Sequence, residues 1–148
     1  MVKWGTQEFA DAYAEALNNN KAYEAAAADW EGDFLWVATP SGEQDRELRM
    51  WIGLYHGKCT GARVLNEDEE VSLLKTGEKP TGKGVEVHYI FTTDYLIWKK
   101  LASGELDSIK ALMTGKAKLK GDMGKIMRYT KAAAELSATS QKIDIEWL

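Results

Sequence analysis

The chain predicts an α+β fold, with helices on one face of a mostly antiparallel sheet. Three observations carry this. Apolar residues recur at helical spacing from Phe9 to Leu17. They alternate over 47–56 and again over 85–91, as in half-buried strands. After Asp94 the helical period returns. No repeat and no long linker divides the 148 residues, so a single domain over 1–148 is expected.

Taken in order, Thr6 can cap a first helix whose stripe is Phe9, Tyr13, Ala16 and Leu17. Asn18-Asn19-Asn20 interrupts it. Helix resumes from Lys21 to Trp30, and Glu31-Gly32-Asp33 stops it. Phe34–Ala38 is a short aromatic strand, followed by a turn at Pro40-Ser41-Gly42. In 47–56, Leu48, Met50, Ile52 and Leu54 share one face, and Arg49, Trp51, Gly53 and Tyr55 the other. Gly57-Lys58 turns into a strand over 59–65, and 66–84 reads as a loop or hairpin. Val85, Val87, Tyr89 and Phe91 form one face of the next strand. Thr92-Thr93-Asp94 caps a helix over 95–102 that ends near Gly104. Leu106, Ile109, Leu112 and Met113 mark a second short helix. Lys116–Lys120 is a strand with Ala117 and Leu119 inward. Gly121-Asp122 then caps one last long helix, with Met123, Ile126, Met127, Thr130 and Ala134 on its stripe. The tail 143–148 alternates and can either add an edge strand or pack loosely.

Composition excludes several classes of function. One cysteine permits no internal disulfide framework and no multi-cysteine zinc site, and two histidines leave little for a metal centre. No cofactor or metal is expected. No run of eighteen apolar residues is present, and the first residues lack the apolar core of a secretory signal, so cytoplasmic residence is expected. The net charge of −4 is unevenly spread. Residues 1–94 carry 9 basic and 17 acidic side chains, whereas 95–142 carry 10 basic and 4 acidic. The acidic total and the lack of a basic aromatic motif argue against nucleic acid. Six Trp, six Tyr, three Phe and five Met are a heavy load of large apolar side chains for this length.

The segment 91–136, FTTDYLIWKKLASGELDSIKALMTGKAKLKGDMGKIMRYTKAAAEL, carries a specific pattern. A strand ends in Thr-Thr-Asp, an aromatic helix follows, and LASGELD leads to TGKAKLKGDMG and a methionine-bearing helix. This resembles the sterol carrier protein 2 (SCP2) family of lipid-transfer domains. The resemblance implies a five-stranded sheet with helices enclosing an apolar tunnel, and a non-catalytic carrier of fatty acyl chains, fatty acyl-CoA or sterol-like lipids. The stretch 66–84 is longer than the resemblance implies, and the chain ends Glu146-Trp147-Leu148, unlike a peroxisomal address.

On this reading the ligand-binding candidates are Ile52, Leu54, Tyr89, Phe91, Trp98, Ile109, Leu112, Met113, Leu119, Met123, Ile126 and Met127. Those from Phe91 onward rest on the resemblance. Ile52, Leu54 and Tyr89 rest on strand alternation. Met fills irregular space, which suits a wall meeting varied ligands. Lys116, Lys118, Lys120, Lys125 and Arg128 are candidates for CoA phosphates or anionic headgroups at a tunnel mouth. Trp4, Trp30 and Trp147 are candidates for transient contact with a membrane surface. The molecule is expected as a monomer or weak dimer. An alternative is a lipid-presenting or regulatory module of a larger enzyme assembly. A more distant one is a small hydrolase or thiol enzyme using His56 and Cys59.

Overall fold

The computed structural model describes residues 1–148. The N-terminal part comprises β1 (Val2–Lys3), α1 (Gln7–Asn18) and α2 (Lys21–Ala26). The strands β2 (Phe34–Thr39), β3 (Leu48–Tyr55), β4 (Lys58–Val64), β5 (Val71–Leu73), β6 (Val85–Val87) and β7 (Tyr89–Asp94) follow. Then come α3 (Tyr95–Ser103), α4 (Ser108–Met113), β8 (Lys118–Lys120), α5 (Met123–Arg128), α6 (Thr130–Ser140) and β9 (Ile145–Glu146). Five strands form the principal sheet in the order β4-β3-β2-β7-β8. Only the central β2–β7 pair is parallel; the other three pairings are antiparallel.

Helix starts follow local side-chain chemistry. Thr6, Asn20, Asp94, Asp107 and Asp122 each accept a hydrogen bond from a backbone N–H three residues on, satisfying a donor the helix leaves free. Gly104 ends α3 in the left-handed region at φ 81°, where a side chain would be strained.

The sheet has two apolar faces, and each is covered. The front face presents Phe34, Ala38, Met50, Ile52, Leu54, Tyr89 and Phe91 to the helices, within a core of 23 buried residues. On the back, Leu35, Val37, Leu65 and Val87 form a second, smaller core. Partly buried Trp51, Val71, Val85 and Ile90 flank it. The stretch after Leu65 therefore has a structural role: it lays β5 and β6 across the back face. These two strands pair in parallel, so the hairpin reading of 66–84 is corrected.

Alternation alone misplaces one strand. Residues 85–91 read as one continuous run, but the chain bends at His88. The His88 and Tyr89 N–H groups both donate to the Asp33 main-chain oxygen, over 3.1 and 3.2 Å. That bend sends Val87 to the back core and Tyr89 to the front core, although they are two residues apart. The Asp33 carboxylate accepts from the Leu54 N–H at 3.0 Å and the Trp51 indole N–H at 3.2 Å. Burial raises its pKa, and those bonds oppose the rise. Gly121 makes close approach possible here: a Cβ on it would sit 2.5 Å from the Tyr89 ring.

The last long helix is also divided. It breaks at Tyr129 (φ −119°, ψ 35°) into α5 and α6. The break lets the Tyr129 ring pack edge-on against Trp30 at 4.9 Å while its hydroxyl donates to Asp29. α6 is then free to lie across the front helices, where its Leu136 carbonyl accepts from the buried Tyr13 hydroxyl at 2.7 Å. The C-terminal tail does pair, but with the opposite end of the chain: β9 runs parallel to β1, with Val2 opposite Ile145. Trp4 and Trp147 pack beside this pair with ring centroids 5.0 Å apart.

Candidate functional site

Between the front of the sheet and the helices lies a cavity of about 80 Å³. Its floor is Phe34 and Trp36 from β2, Phe91 from β7 and Leu119 from β8. Its roof is Phe9 from α1, Trp98, Leu101 and Ala102 from α3, and Ile109 and Leu112 from α4. Ile126 of α5 and Ala133 and Leu136 of α6 close one side, with Trp4 on another. Three serines complete the wall, and no charged residue lines it. A second cavity of about 20 Å³ adjoins it, sharing Phe34, Ile126, Ala133 and Leu136.

Aromatic rings hold this space open. Trp98 sits at their centre, 5.4 Å from Trp36, 5.4 Å from Phe91 and 6.2 Å from Trp4. Two of these rings are fixed by hydrogen bonds. The Trp98 indole N–H donates to the Val37 carbonyl at 3.0 Å, and that of Trp4 to Gln44 Oε1 at 2.9 Å. Guest atoms in this space would gain dispersion contacts with its apolar wall.

Of the twelve candidate ligand-binding residues, Phe91, Trp98, Ile109, Leu112, Leu119 and Ile126 stand in the cavity wall. Leu54 lines the smaller cavity. Ile52 and Tyr89 are buried in the front core but line neither. Tyr89 is packed tightly enough that desolvation pushes its phenol pKa up to about 12. Met113, Met123 and Met127 are corrected: they are 77%, 41% and 43% exposed and belong to neither cavity wall. The reason is helix pitch. In α4, Ile109 and Leu112 face inward and Met113, the next residue, is carried round to solvent. In α5 Ile126 is the inward residue, with Met123 and Met127 on its outer side.

The candidate cations stand outside both cavity walls. Lys118 and Lys120 flank the inward Leu119 on β8, so they project from the back of the sheet, away from the cavity. Lys125 is engaged: its Nζ donates to the Glu31 carbonyl at 2.7 Å and lies 4.6 Å from the Trp30 ring centre. Lys116 and Arg128 are exposed and line neither cavity. Trp4 and Trp30 are only 7% and 4% exposed, so neither offers a face to a membrane. No helix is long and apolar enough to cross one.

The cavity wall includes residues that periodicity did not single out. Trp4, Leu101, Ala133 and Leu136 are apolar, but nothing in their spacing separates a wall from a filled core. Phe34 and Trp36 alternate with Leu35 and Val37 on a strand apolar on both faces, so either pair could have faced the cavity. His56 and Cys59 each have a different hydrogen-bond partner. The Cys59 thiol is buried against the Gly61 carbonyl, and burial pushes its pKa up, away from the thiolate. His56 is turned to Glu31 at 2.7 Å.

Comparison with known proteins agrees with this architecture. A crystal structure of sterol carrier protein 2 superposes with a TM-score of 0.77 at 26% identity, covering 95% of this chain and 98% of that one. A conserved hypothetical protein of Thermus thermophilus, described as possibly a sterol carrier protein, gives 0.75 at 26% identity, covering 96% and 90%. Apo sterol carrier protein 2 of Yarrowia lipolytica shares the fold at 0.53 and 16% identity, covering 92% and 91%. No curated protein sequence matches significantly. The sequence profile of the SCP-2 sterol transfer family matches residues 14–134. The chain belongs to that family.

Proposed function

We propose that this protein is a non-catalytic lipid carrier that takes fatty acyl chains, fatty acyl-CoA or sterol-like lipids into its front-side cavity. The observation that carries the reading is an aromatic, uncharged cavity kept open between sheet and helices in a member of a sterol transfer family. A sixteen-carbon chain buried at roughly 0.8 kcal/mol per CH₂ gains about 13 kcal/mol gross. Ordering and association consume several kcal/mol, leaving roughly micromolar to nanomolar affinity. Such a ligand is larger than the present space, so binding would join the two cavities into one tunnel by moving the shared wall of Ile126, Ala133 and Leu136. Delivery would involve transient contact with a membrane surface, to which the basic segment after Asp94 is suited by charge.

Titration with a fluorescent fatty acid, a fluorescent acyl-CoA and a fluorescent sterol tests the reading. Saturable, stoichiometric binding of at least one class is expected. No binding by any of the three would overturn it.

A further inference from the structure

This inference rests on the lipid-carrier reading and concerns the face by which the carrier meets a bilayer. Residues 113–131 carry six basic side chains and one acidic, a balance of +5, whereas the rest of the chain sums to −9. The single acid, Asp122, is engaged as the cap of α5, accepting from the Lys125 N–H at 3.0 Å. None of the six cations pairs with a carboxylate; the ion pairs of the molecule involve Arg46, His56, Lys58, Arg63 and the N-terminus. The segment therefore presents a positive charge that the protein itself does not neutralise.

The same segment exposes large apolar side chains. Met123 and Met127 lie four residues apart on α5 and form one stripe on its outer side. Arg128 follows Met127, and Lys131 stands in the first turn of α6; both are exposed. A single exposed apolar residue is ordinary, but a stripe flanked by unpaired cations matches the layers of a membrane interface. Thioethers suit the boundary of the acyl chains and adapt to its disorder, and the cations suit lipid phosphates.

The rest of the helical side lacks this combination. The exposed residues of α1 are Gln7, Glu8, Asp11, Glu15 and Asn18, with no cation among them, so an anionic surface repels that helix. On α5 the outer stripe backs directly onto Ile126, which belongs to the wall shared by the two cavities. We propose that α5 and the start of α6 dock on an anionic bilayer, with Met123 and Met127 entering the interface and Arg128 and Lys131 meeting lipid phosphates.

Flotation with vesicles tests this, using phosphatidylcholine alone and phosphatidylcholine with about 30% phosphatidylglycerol at about 0.1 M salt. The parent should bind the anionic vesicles and leave the zwitterionic ones unbound. Met123→Ser/Met127→Ser and Arg128→Gln/Lys131→Gln should each weaken binding about tenfold or more. Lys79→Gln/Lys83→Gln removes the same charge from the loop before β6 and should bind as the parent does. All four altered positions of the docking face lie outside both cavity walls, so Tm and titration with a fluorescent fatty acid in buffer should match the parent. No preference of the parent for anionic vesicles, parent-like binding by either docking variant, or an equal loss in the Lys79/Lys83 variant would each overturn the docking face. The fatty-acid titration reads the carrier function without vesicles, so a parent that takes up the fatty acid but fails on vesicles loses only the docking face. A parent that floats with anionic vesicles but takes up no lipid loses the carrier reading instead.

Discussion

The indole N–H of Trp98 donates to the main-chain oxygen of Val37 at 3.0 Å, tying α3 to the central strand β2 across 61 residues of sequence. This bond fixes the ring that stands at the centre of the cavity's aromatic wall. Trp98→Phe would remove the donor and shrink the ring. It should cost about 1–3 kcal/mol by urea denaturation. A loss below about 0.5 kcal/mol would mean the bond does not hold α3 in place.

Ala133 lines both cavities, where a larger side chain would block the way between them. Ala133→Leu should fill apolar space without a polar cost. Affinity for a fluorescent fatty acid should fall at least about tenfold while Tm holds or rises. Unchanged affinity would show that the ligand lies elsewhere.

Ile126 and Met127 are neighbours with opposite fates. Ile126 is 6% exposed and Met127 43%. Ile126→Ala should destabilise by about 2–5 kcal/mol, toward the lower end because the adjacent cavity already leaves slack. Met127→Lys should change stability by no more than about 0.5 kcal/mol, since the charge stays in water. Thermal denaturation of the pair separates a wall residue from a surface one.

Glu86 anchors the turn that precedes β6. Its carboxylate accepts from the Thr81 N–H at 2.9 Å, the Thr81 hydroxyl at 3.0 Å and the Gly82 N–H at 2.8 Å. These bonds, that from the Thr81 N–H foremost, hold its pKa below the ordinary glutamate value of 4.5. A lowered folded-state pKa gives stability that is present above that ordinary value and is lost as pH falls through the lowered one. Glu86→Gln should therefore be less stable than the parent at neutral pH, and the difference should close on acidification. A difference that persists unchanged in acid would show that charge plays no part.

The local architecture was legible from residue patterns because it is set over a few residues. The caps at Thr6, Asp94 and Asp122 and the left-handed end at Gly104 are short-range chemistry. The inward face of β3, with Met50, Ile52 and Leu54, followed from alternation. The family resemblance over 91–136 pointed to the region containing Trp98, Ile109, Leu112, Leu119 and Ile126. Methionine type, by contrast, was a poor guide to the wall. Helix pitch carries Met113 round to solvent, and Met123 and Met127 lie on the outer side of α5 from Ile126.

The sequence by itself determined the α+β class, the order of the main elements and most helix ends, because composition, period and caps act locally. Tertiary structure decided three other matters. Asp33, far back in the chain, draws in the backbone at His88 and sends Val87 and Tyr89 to opposite faces. The back of the sheet is apolar and must be covered, which gives the long stretch after Leu65 its place. The distinction between a filled core and an open cavity rests on how rings from β2, β7 and α3 fit together. No local pattern records that fit, because it is a property of volumes meeting across the fold.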